Sequence, residues 1–269
     1  MTRTIHCFFS GDRDSALACY IAHQVAQRRR WAFKLVHIDT TIVIKQTREY
    51  VRHYAQWLGA ELVVLRPRRT FKEYAAQYGM WPSLYPTQHR WCYFRLKLDP
   101  SIVYLKENYR EGDLVVLGVR RAESKFRFGF YTETFFTRSY GNGLKVKMWA
   151  PLLQVDDYTL EKLINHFKIP RNPVWRFGFS GECLCLAGTP LSTVAVILLH
   201  FPEETKELLE IDDIIQRNRK SGNPSAPLRV WQAGYKTLRE FYEYIRKQRT
   251  LDVYMPYAGK ACQGSCLLL

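Results

Sequence analysis

The sequence predicts an α/β fold: a parallel five-stranded sheet with helices on both faces, followed by a mainly helical C-terminal part. Three observations lead there. Short runs of β-branched and aromatic residues alternate with longer segments of helical periodicity up to about Pro151. The helical segments are long enough to be crossovers between parallel strands. After Pro151 the strand-like runs stop and helical patterns take over, which puts a boundary near residue 155, between an α/β part (1–155) and a helical, cysteine-bearing part (156–269). The 269 residues are 47% hydrophobic and 14% aromatic, enough for a buried core and too apolar for a disordered or collagen-like chain.

The elements follow in order. Thr4-Ile-His-Cys-Phe-Phe9 reads as a buried strand, and Ser10 to Ser15 as a polar turn. A helix over Ala16 to Gln27 places Leu17, Tyr20, Ile21 and Val25 on its apolar face. Phe33 to Ile38 is a second strand. Gln46 to Leu58 is a second helix, closed by Gly59. Glu61 to Leu65, Asp113 to Gly118 and Lys145 to Trp149 complete the five strands. Helices are expected over Tyr158 to Phe167, Leu191 to His200, Glu203 to Arg219 and, as one long basic and aromatic element, Leu228 to Arg249. No repeat or low-complexity segment interrupts them.

Ser10-Gly11-Asp12-Arg13-Asp14-Ser15 is the most informative string. It joins the first strand to the first helix, where backbone amides and the helix dipole gather a phosphate. Gly11 permits close backbone approach, the two serines offer hydroxyls, and Arg13 adds a cation. The same string also reads as an ordinary polar turn with an Asp or Ser cap.

This string resembles the PP-loop of the adenine nucleotide alpha-hydrolase-like enzymes, usually Ser-Gly-Gly-Lys/Arg-Asp-Ser. That superfamily includes ATP pyrophosphatases and the phosphoadenosine phosphosulfate (PAPS) reductase family. Further matches follow in chain order: His37-Ile-Asp-Thr40, Glu49-Tyr-Val51, Trp91-Cys92-Tyr-Phe-Arg-Leu-Lys97 with Pro100, Gly118-Val-Arg-Arg-Ala-Glu-Ser124 with Arg127, Pro151, and Ile169-Pro-Arg-Asn-Pro173. The resemblance covers about residues 4–190. It implies that Ser10, Gly11, Arg13, Asp14 and Ser15 contact the phosphates of ATP, or of APS or PAPS, with Arg13 and Asp14 taking part in catalysis. It also implies that Asp39 and Thr40 lie near the adenosine, and that Gly118, Arg120 and the segment through Arg127 close the phosphate side. Asp12 departs from the family's second loop glycine. A carboxylate there repels phosphate unless it points away or meets Mg²⁺.

Seven cysteines without a secretory signal argue against a disulfide framework. Cys7 and Cys19 fall on apolar strand and helix patterns and read as core. Cys92, Cys183, Cys185, Cys262 and Cys266 are candidate metal ligands, since thiolates in close pairs suit zinc or a cluster. Some members of the resembling family hold a 4Fe-4S cluster near the Cys92 and Cys183 positions, which implies such a cofactor here, with Cys262 or Cys266 supplying a missing ligand. Zinc, or no metal, remain the alternatives. His37, His53, His89 and His166 show no ligand spacing.

The formal charge of +15 favours a polyanionic partner. Arg28 to Arg30, Arg66, Arg68, Arg69, Lys145 and Lys147 lie at element ends. Arg229, Lys236, Arg239, Arg246, Lys247 and Arg249 interleave with Trp231, Tyr235, Phe241, Tyr242 and Tyr244, a pattern that serves either nucleic-acid contact or packing. No apolar run is long enough to span a bilayer, so no membrane partner and a cytoplasmic location are expected.

Three functions compete. One is an ATP pyrophosphatase-type, iron-sulfur-dependent sulfur transferase acting on tRNA or DNA. The second is an APS or PAPS reductase using Cys262 or Cys266 as a tail nucleophile. The third is a non-catalytic nucleotide- or nucleic-acid-binding protein. Each takes an adenine nucleotide or a nucleic acid as partner. The enzymatic readings add an unidentified sulfur or electron donor protein, and a homodimer stays open.

Overall fold

The computed structural model describes residues 3–83, 89–123, 132–140, 143–178, 183–223 and 225–248. Strand β1 (Thr4–Phe8) lies in the middle of a six-stranded sheet and pairs in parallel with β2 (Ala32–Ile38) on one side and β4 (Leu114–Leu117) on the other. With β3 (Glu61–Leu65), β5 (Phe135–Ser139) and β6 (Lys145–Trp149), the order is β3-β2-β1-β4-β6-β5. The five expected strands are all present and mutually parallel. The sixth, β5, runs antiparallel to β6 at the edge.

Residues of β1 are buried from both sides. Ile5 and Cys7 join one apolar core with helices α1 (Arg13–Arg29), α2 (Lys45–Leu58) and α5 (Asp157–His166). Phe8 joins a second core, on the opposite face, with Tyr104 and Leu105 of helix α4 (Asp99–Asn108). This two-sided cover is what parallel sheets require. A third core gathers α3 (Phe71–Tyr78), Trp81 and Trp91 with the C-terminal helices α6 (Leu191–His200), α7 (Pro202–Asn218), α8 (Leu228–Gln232) and α9 (Leu238–Lys247). The helical C-terminal region thus packs against a helix that follows β3.

Several expectations need correction. Helix α1 starts at Arg13, because the Asp12 carboxylate accepts from Ser15 N and caps it three residues earlier than the apolar pattern indicates. Helix α3 is marked by a capping box, Thr70 to Glu73, which short apolar periodicity hides. Before α4, the stretch Tyr93–Leu98 is π-helical, with Asp99 N bonding back to Phe94 O. The long C-terminal helix is two pieces, since the chain turns at Gly234, whose φ is 95°. Phe241 and Ile245 of α9 point into the core, and Arg239 is paired with Asp213 at 2.6 Å. Packing therefore claims much of the face that alternated aromatic and basic residues in the sequence. Arg249 lies outside the described residues. Cys7 and Cys19 are fully buried, but they are not separate thiols: a disulfide joins them, Cα to Cα 5.7 Å apart. Direct packing of α1 on β1 brings the two positions face to face, an effect of topology that cysteine counting does not capture.

His6, at the centre of β1, meets the Tyr104 hydroxyl through Nδ1 at 2.8 Å and Asp113 through Nε2 at 3.4 Å. Asp113 also accepts from Thr4 N and Arg110 N, which pins the start of β4 to the start of β1. Burial holds the pKa of His6 below the ordinary value, against the opposing pull of Asp113, and burial does the same to His23 and His37. Depressed histidine pKa values mean stability that is complete above the unfolded value, about 6.5, and lost as pH falls towards the folded values. Denaturant unfolding of the full chain is expected to show lower stability at pH 5 than at pH 7.5. A flat profile across that window would contradict the neutral, buried state of these rings.

Candidate functional site

The chain leaves β1 and crosses to α1 next to the point where the strand order reverses, with β2 and β3 on one side and β4 on the other. Open α/β sheets bind ligands in the crevice at the carboxyl ends of such strands. Gly11 adopts φ 88°, and a Cβ on it would come within 3.0 Å of Thr47 Cγ2, so both conformation and space call for glycine. The Gly11 carbonyl is held twice, by Asn172 Nδ2 at 3.0 Å and by Trp175 Nε1 at 3.1 Å. Ser10 Oγ donates to Ser15 Oγ at 2.9 Å across the mouth of the loop. Asp12 turns away from the crevice: it is buried, extended at φ −87°, and accepts from Ser15 N at 2.6 Å. The left-handed turn thus belongs to Gly11, and Asp12 serves as helix cap. Its carboxylate occupies one amide that a phosphate at this helix terminus would otherwise use.

Gly118, just after β4, presses against this loop. A Cβ there would overlap the backbone of Asp14 and Ser15. Two residues on, Arg120 is 3% exposed. Its Nε lies 3.0 Å from Asp14 Oδ1, its Nη2 donates to Asp157 Oδ1 at 2.8 Å, and its Nη1 donates to Val155 O at 3.2 Å. Burial lowers the pKa of this guanidinium, but Asp14 and Asp157 outweigh that and leave it raised. Asp14 and Arg120, both expected at the phosphates, thus pair with each other and clamp α1 to the end of β4 and to α5. Arg13 is half-exposed and reaches Glu161 at 2.6 Å, which also receives Arg171 at 2.7 Å. Burial pushes the Glu161 carboxyl up, and the two arginines more than reverse it, holding it below the usual range.

Asp39 follows β2. Its Oδ1 accepts from Thr41 N at 3.0 Å and Arg48 Nη2 at 3.4 Å, and Arg66 Nε lies 3.8 Å from Oδ2. Thr40 is buried, with its hydroxyl 3.4 Å from Ile42 O. Ile42 O also accepts from Leu184 N at 2.9 Å, which brings the Cys183–Cys185 segment alongside the loop between β2 and α2. The Cys183 and Cys185 sulfurs are 3.7 Å apart. Cys92 and Cys185 are buried in the same apolar core, with Cys183 at its margin. Among the described residues no three Cys, His, Asp or Glu side chains converge as metal ligands. These cysteines do not by themselves fit the four-thiolate demand of a 4Fe-4S cluster. Arg127, Cys262 and Cys266 lie outside the described residues.

Asn172 and Trp175 are functional neighbours that motif reading did not assign. The Asn-Pro pair at 172 and 173 is the available signal: Asn172 caps the short turn Pro173–Phe177 while reaching Gly11. Among the described residues no helix is long and apolar enough to cross a membrane.

Comparison with known proteins bears on the same residues. The phosphoadenosine phosphosulfate reductase domain matches residues 4–181. Two uncharacterized proteins of Methanocaldococcus jannaschii are similar: MJ0973, 33% identical over 121 residues (45% of this chain, 26% of that protein), and MJ0066, 27% identical over 199 residues (72% and 38%). The chain thus spans well under half the length of these curated relatives. A PAPS reductase structure from Candida auris, in complex with phosphate, aligns with a TM-score of 0.48 at 18% identity, over 64% of this chain and 76% of that one.

Removing Arg120 would take the guanidinium away from the buried Asp14 carboxylate. Arg120→Ala is expected to cost about 3 kcal/mol, the low end for a broken buried pair because Asp157 stays largely hydrated. Urea unfolding checks this, and a cost below about 1 kcal/mol would show that the pair is not a structural clamp.

Proposed function

Because the chain belongs to the phosphoadenosine phosphosulfate reductase domain family, we propose that it is a PP-loop enzyme that binds an adenine nucleotide between β1 and β4 and uses ATP to activate an acceptor on nucleic acid for sulfur transfer. The observation that carries the nucleotide part is the convergence of Gly11, the N-terminus of α1 and Gly118 at the reversal of strand order. The charge of +15 supports the polyanionic acceptor.

In this reading an acceptor oxygen attacks the α-phosphorus and pyrophosphate leaves. The outer sulfur of a persulfide on Cys183 or Cys185, loaded by an external persulfide donor, then attacks the activated atom and AMP departs with the oxygen; the neighbouring thiol breaks the S–S bond, leaving a Cys183–Cys185 disulfide that an external dithiol reduces. The N-terminus of α1 and the Ser10 and Ser15 hydroxyls stabilise charge on the leaving group. Mg²⁺, where bound with the nucleotide, would supply neutralisation of part of that charge. Asp39 and Thr40 border the adenosine. Arg120 and Asp14 act by holding the loop in shape. The close thiols of Cys183 and Cys185, beside the loop between β2 and α2, are the described candidates for carrying the sulfur as a persulfide.

Two observations favour other readings. The family match and the tail thiols Cys262 and Cys266 favour reduction of APS or PAPS. The Asp12 carboxylate on Ser15 N favours a loop with weakened nucleotide affinity and a binding role alone.

Calorimetric titration of the full chain with ATP, APS and PAPS separates these. Asp12→Gly is expected to tighten ATP binding on the order of tenfold by freeing an amide for a charge-assisted bond, at a stability cost of a few tenths of a kcal/mol. Ser15→Ala is expected to weaken it by a similar factor. Binding of PAPS but not ATP by the wild type and by Asp12→Gly would replace this reading with the reductase.

A further inference from the structure

Beside the end of β2 the surface opens into three recesses that share walls. The first, about 240 Å³, runs between α2 and β3 and is lined by His37, Asp39, Arg48, Arg52 and Arg66. The second, about 500 Å³, shares Asp39, Arg48, Arg52 and Arg66 and adds Arg68 and Arg69. The third, about 620 Å³, shares Arg66 and Arg68 and continues to Tyr74, the Arg95–Asp99 pair and Glu107 beside α4. The charges in the middle recess are unbalanced. Five arginines face two carboxylates there, and neither carboxylate is at liberty. The Glu73 carboxylate is bound to Thr70 in the α3 cap, and Asp39 is already flanked by Arg48 and Arg66. Arg52 and Arg68 are exposed and make no ion pair or hydrogen bond among the described residues. Unneutralised guanidinium groups held close together cost repulsion unless an anion joins them.

We propose that this arginine-lined channel receives the phosphodiester backbone of a single nucleic-acid strand and leads it to the nucleotide site at Asp39. The proposal rests on the reading that the acceptor is a nucleic acid, and it names the surface that would hold it. Guanidinium groups suit phosphate oxygens, and connected recesses of this size admit one strand rather than the paired backbones of a duplex. Tyr74 gives the far recess an aromatic wall, as single-strand channels commonly have. The competing basic surface, on α9, is less free, since Arg239 is bound to Asp213 and the aromatic Phe241 is buried.

The test uses the full chain and fluorescence anisotropy with labelled oligo-U RNA, oligo-dT DNA and a duplex of equal length, each over a salt series. The cleft variant is Arg52→Ala with Arg68→Ala, and the comparator is Arg246→Ala with Lys247→Ala on α9. Both cleft side chains are exposed and unpaired among the described residues, and unchanged circular dichroism and ATP affinity establish that the fold and the nucleotide site are intact. Expected are single-strand binding stronger than duplex binding and a salt slope shallower by about 1.4 in the cleft variant, at about 0.7 for each phosphate that an arginine no longer neutralises. The comparator slope is expected to stay at the wild-type value. Nucleic-acid binding by the wild type with an unchanged slope in the cleft variant would overturn the channel and leave the acceptor reading standing. A shallower slope in the comparator alone would move the surface to α9 and also overturn the channel. A cleft variant that no longer binds PAPS but keeps nucleic acid would assign these arginines to the nucleotide site and overturn the proposal. Absence of nucleic-acid binding by the wild type at low salt would end both the proposal and the acceptor reading.

Discussion

The approach of Gly118 to the first turn of α1 is the constraint on which the arrangement of the site depends. A strand end cannot normally lie on a helix N-terminus, because a Cβ intervenes. Here that atom would overlap Asp14 and Ser15, and glycine removes it. The contact brings β4 alongside the loop that leaves β1, and so sets the width of the crevice between them. Arg120 then locks the approach by pairing with Asp14 in the same helical turn and with Asp157 at the start of α5. A buried ion pair adds little net stability by itself, since desolvation offsets most of the attraction. Its value here is geometric: it permits one relative placement of three segments, and any other leaves a charge buried alone.

The loop is held from the opposite side by neutral groups. Asn172 and Trp175 both donate to the Gly11 carbonyl, so the peptide that turns left-handed cannot flip without breaking two hydrogen bonds. The ring of Trp175 packs edge-on against Tyr50 of α2, which is itself fixed by a bond from its hydroxyl to Pro170 O. A segment that begins 161 residues downstream of Gly11 thereby rigidifies the phosphate loop. Rigid placement of donors before a ligand arrives is the condition for electrostatic stabilisation of developing charge.

Much of this was legible in the residues. The alternation of strands and helices is strong because both the central strands and their covering helices are apolar on their buried faces, and five strands and the main helices follow from it. The loop string and Gly118 were legible because they match, in chain order, the motifs of the resembling family. An Asp or Ser cap was one reading of that string, and Asp12 fills it, whereas the pairing of Asp14 with Arg120 was not legible. Each of the pair is a charged residue whose role is set by a partner on a different element, and pattern along the chain carries no record of such pairings. For the same reason, the Cys7–Cys19 bond escaped a count of thiols, while β5 escaped because an edge strand of alternating exposure has too little apolar content to stand out.

The placement of charge explains how a chain of +15 can have an orderly site. Around the loop, cations are matched: Arg13 and Arg171 share Glu161, and Arg120 has two carboxylates. The nearby surface at the ends of β2 and β3 is the reverse, with arginines in excess and carboxylates already engaged. A phosphate loop needs donors fixed in position, and neutralised neighbours keep them from competing for the ligand. A surface that captures a polyanion needs the opposite, a standing excess of cations whose field extends about a Debye length into solvent. Asp39 stands at the meeting of the two regions, bound by Arg48 on the cationic side and one residue from the buried Thr40 on the other. An anionic strand entering the channel would compete with Asp39 for Arg48 and Arg66. Its arrival would therefore be felt at Asp39, so under the proposed reading the strand and the nucleotide would meet at a single carboxylate.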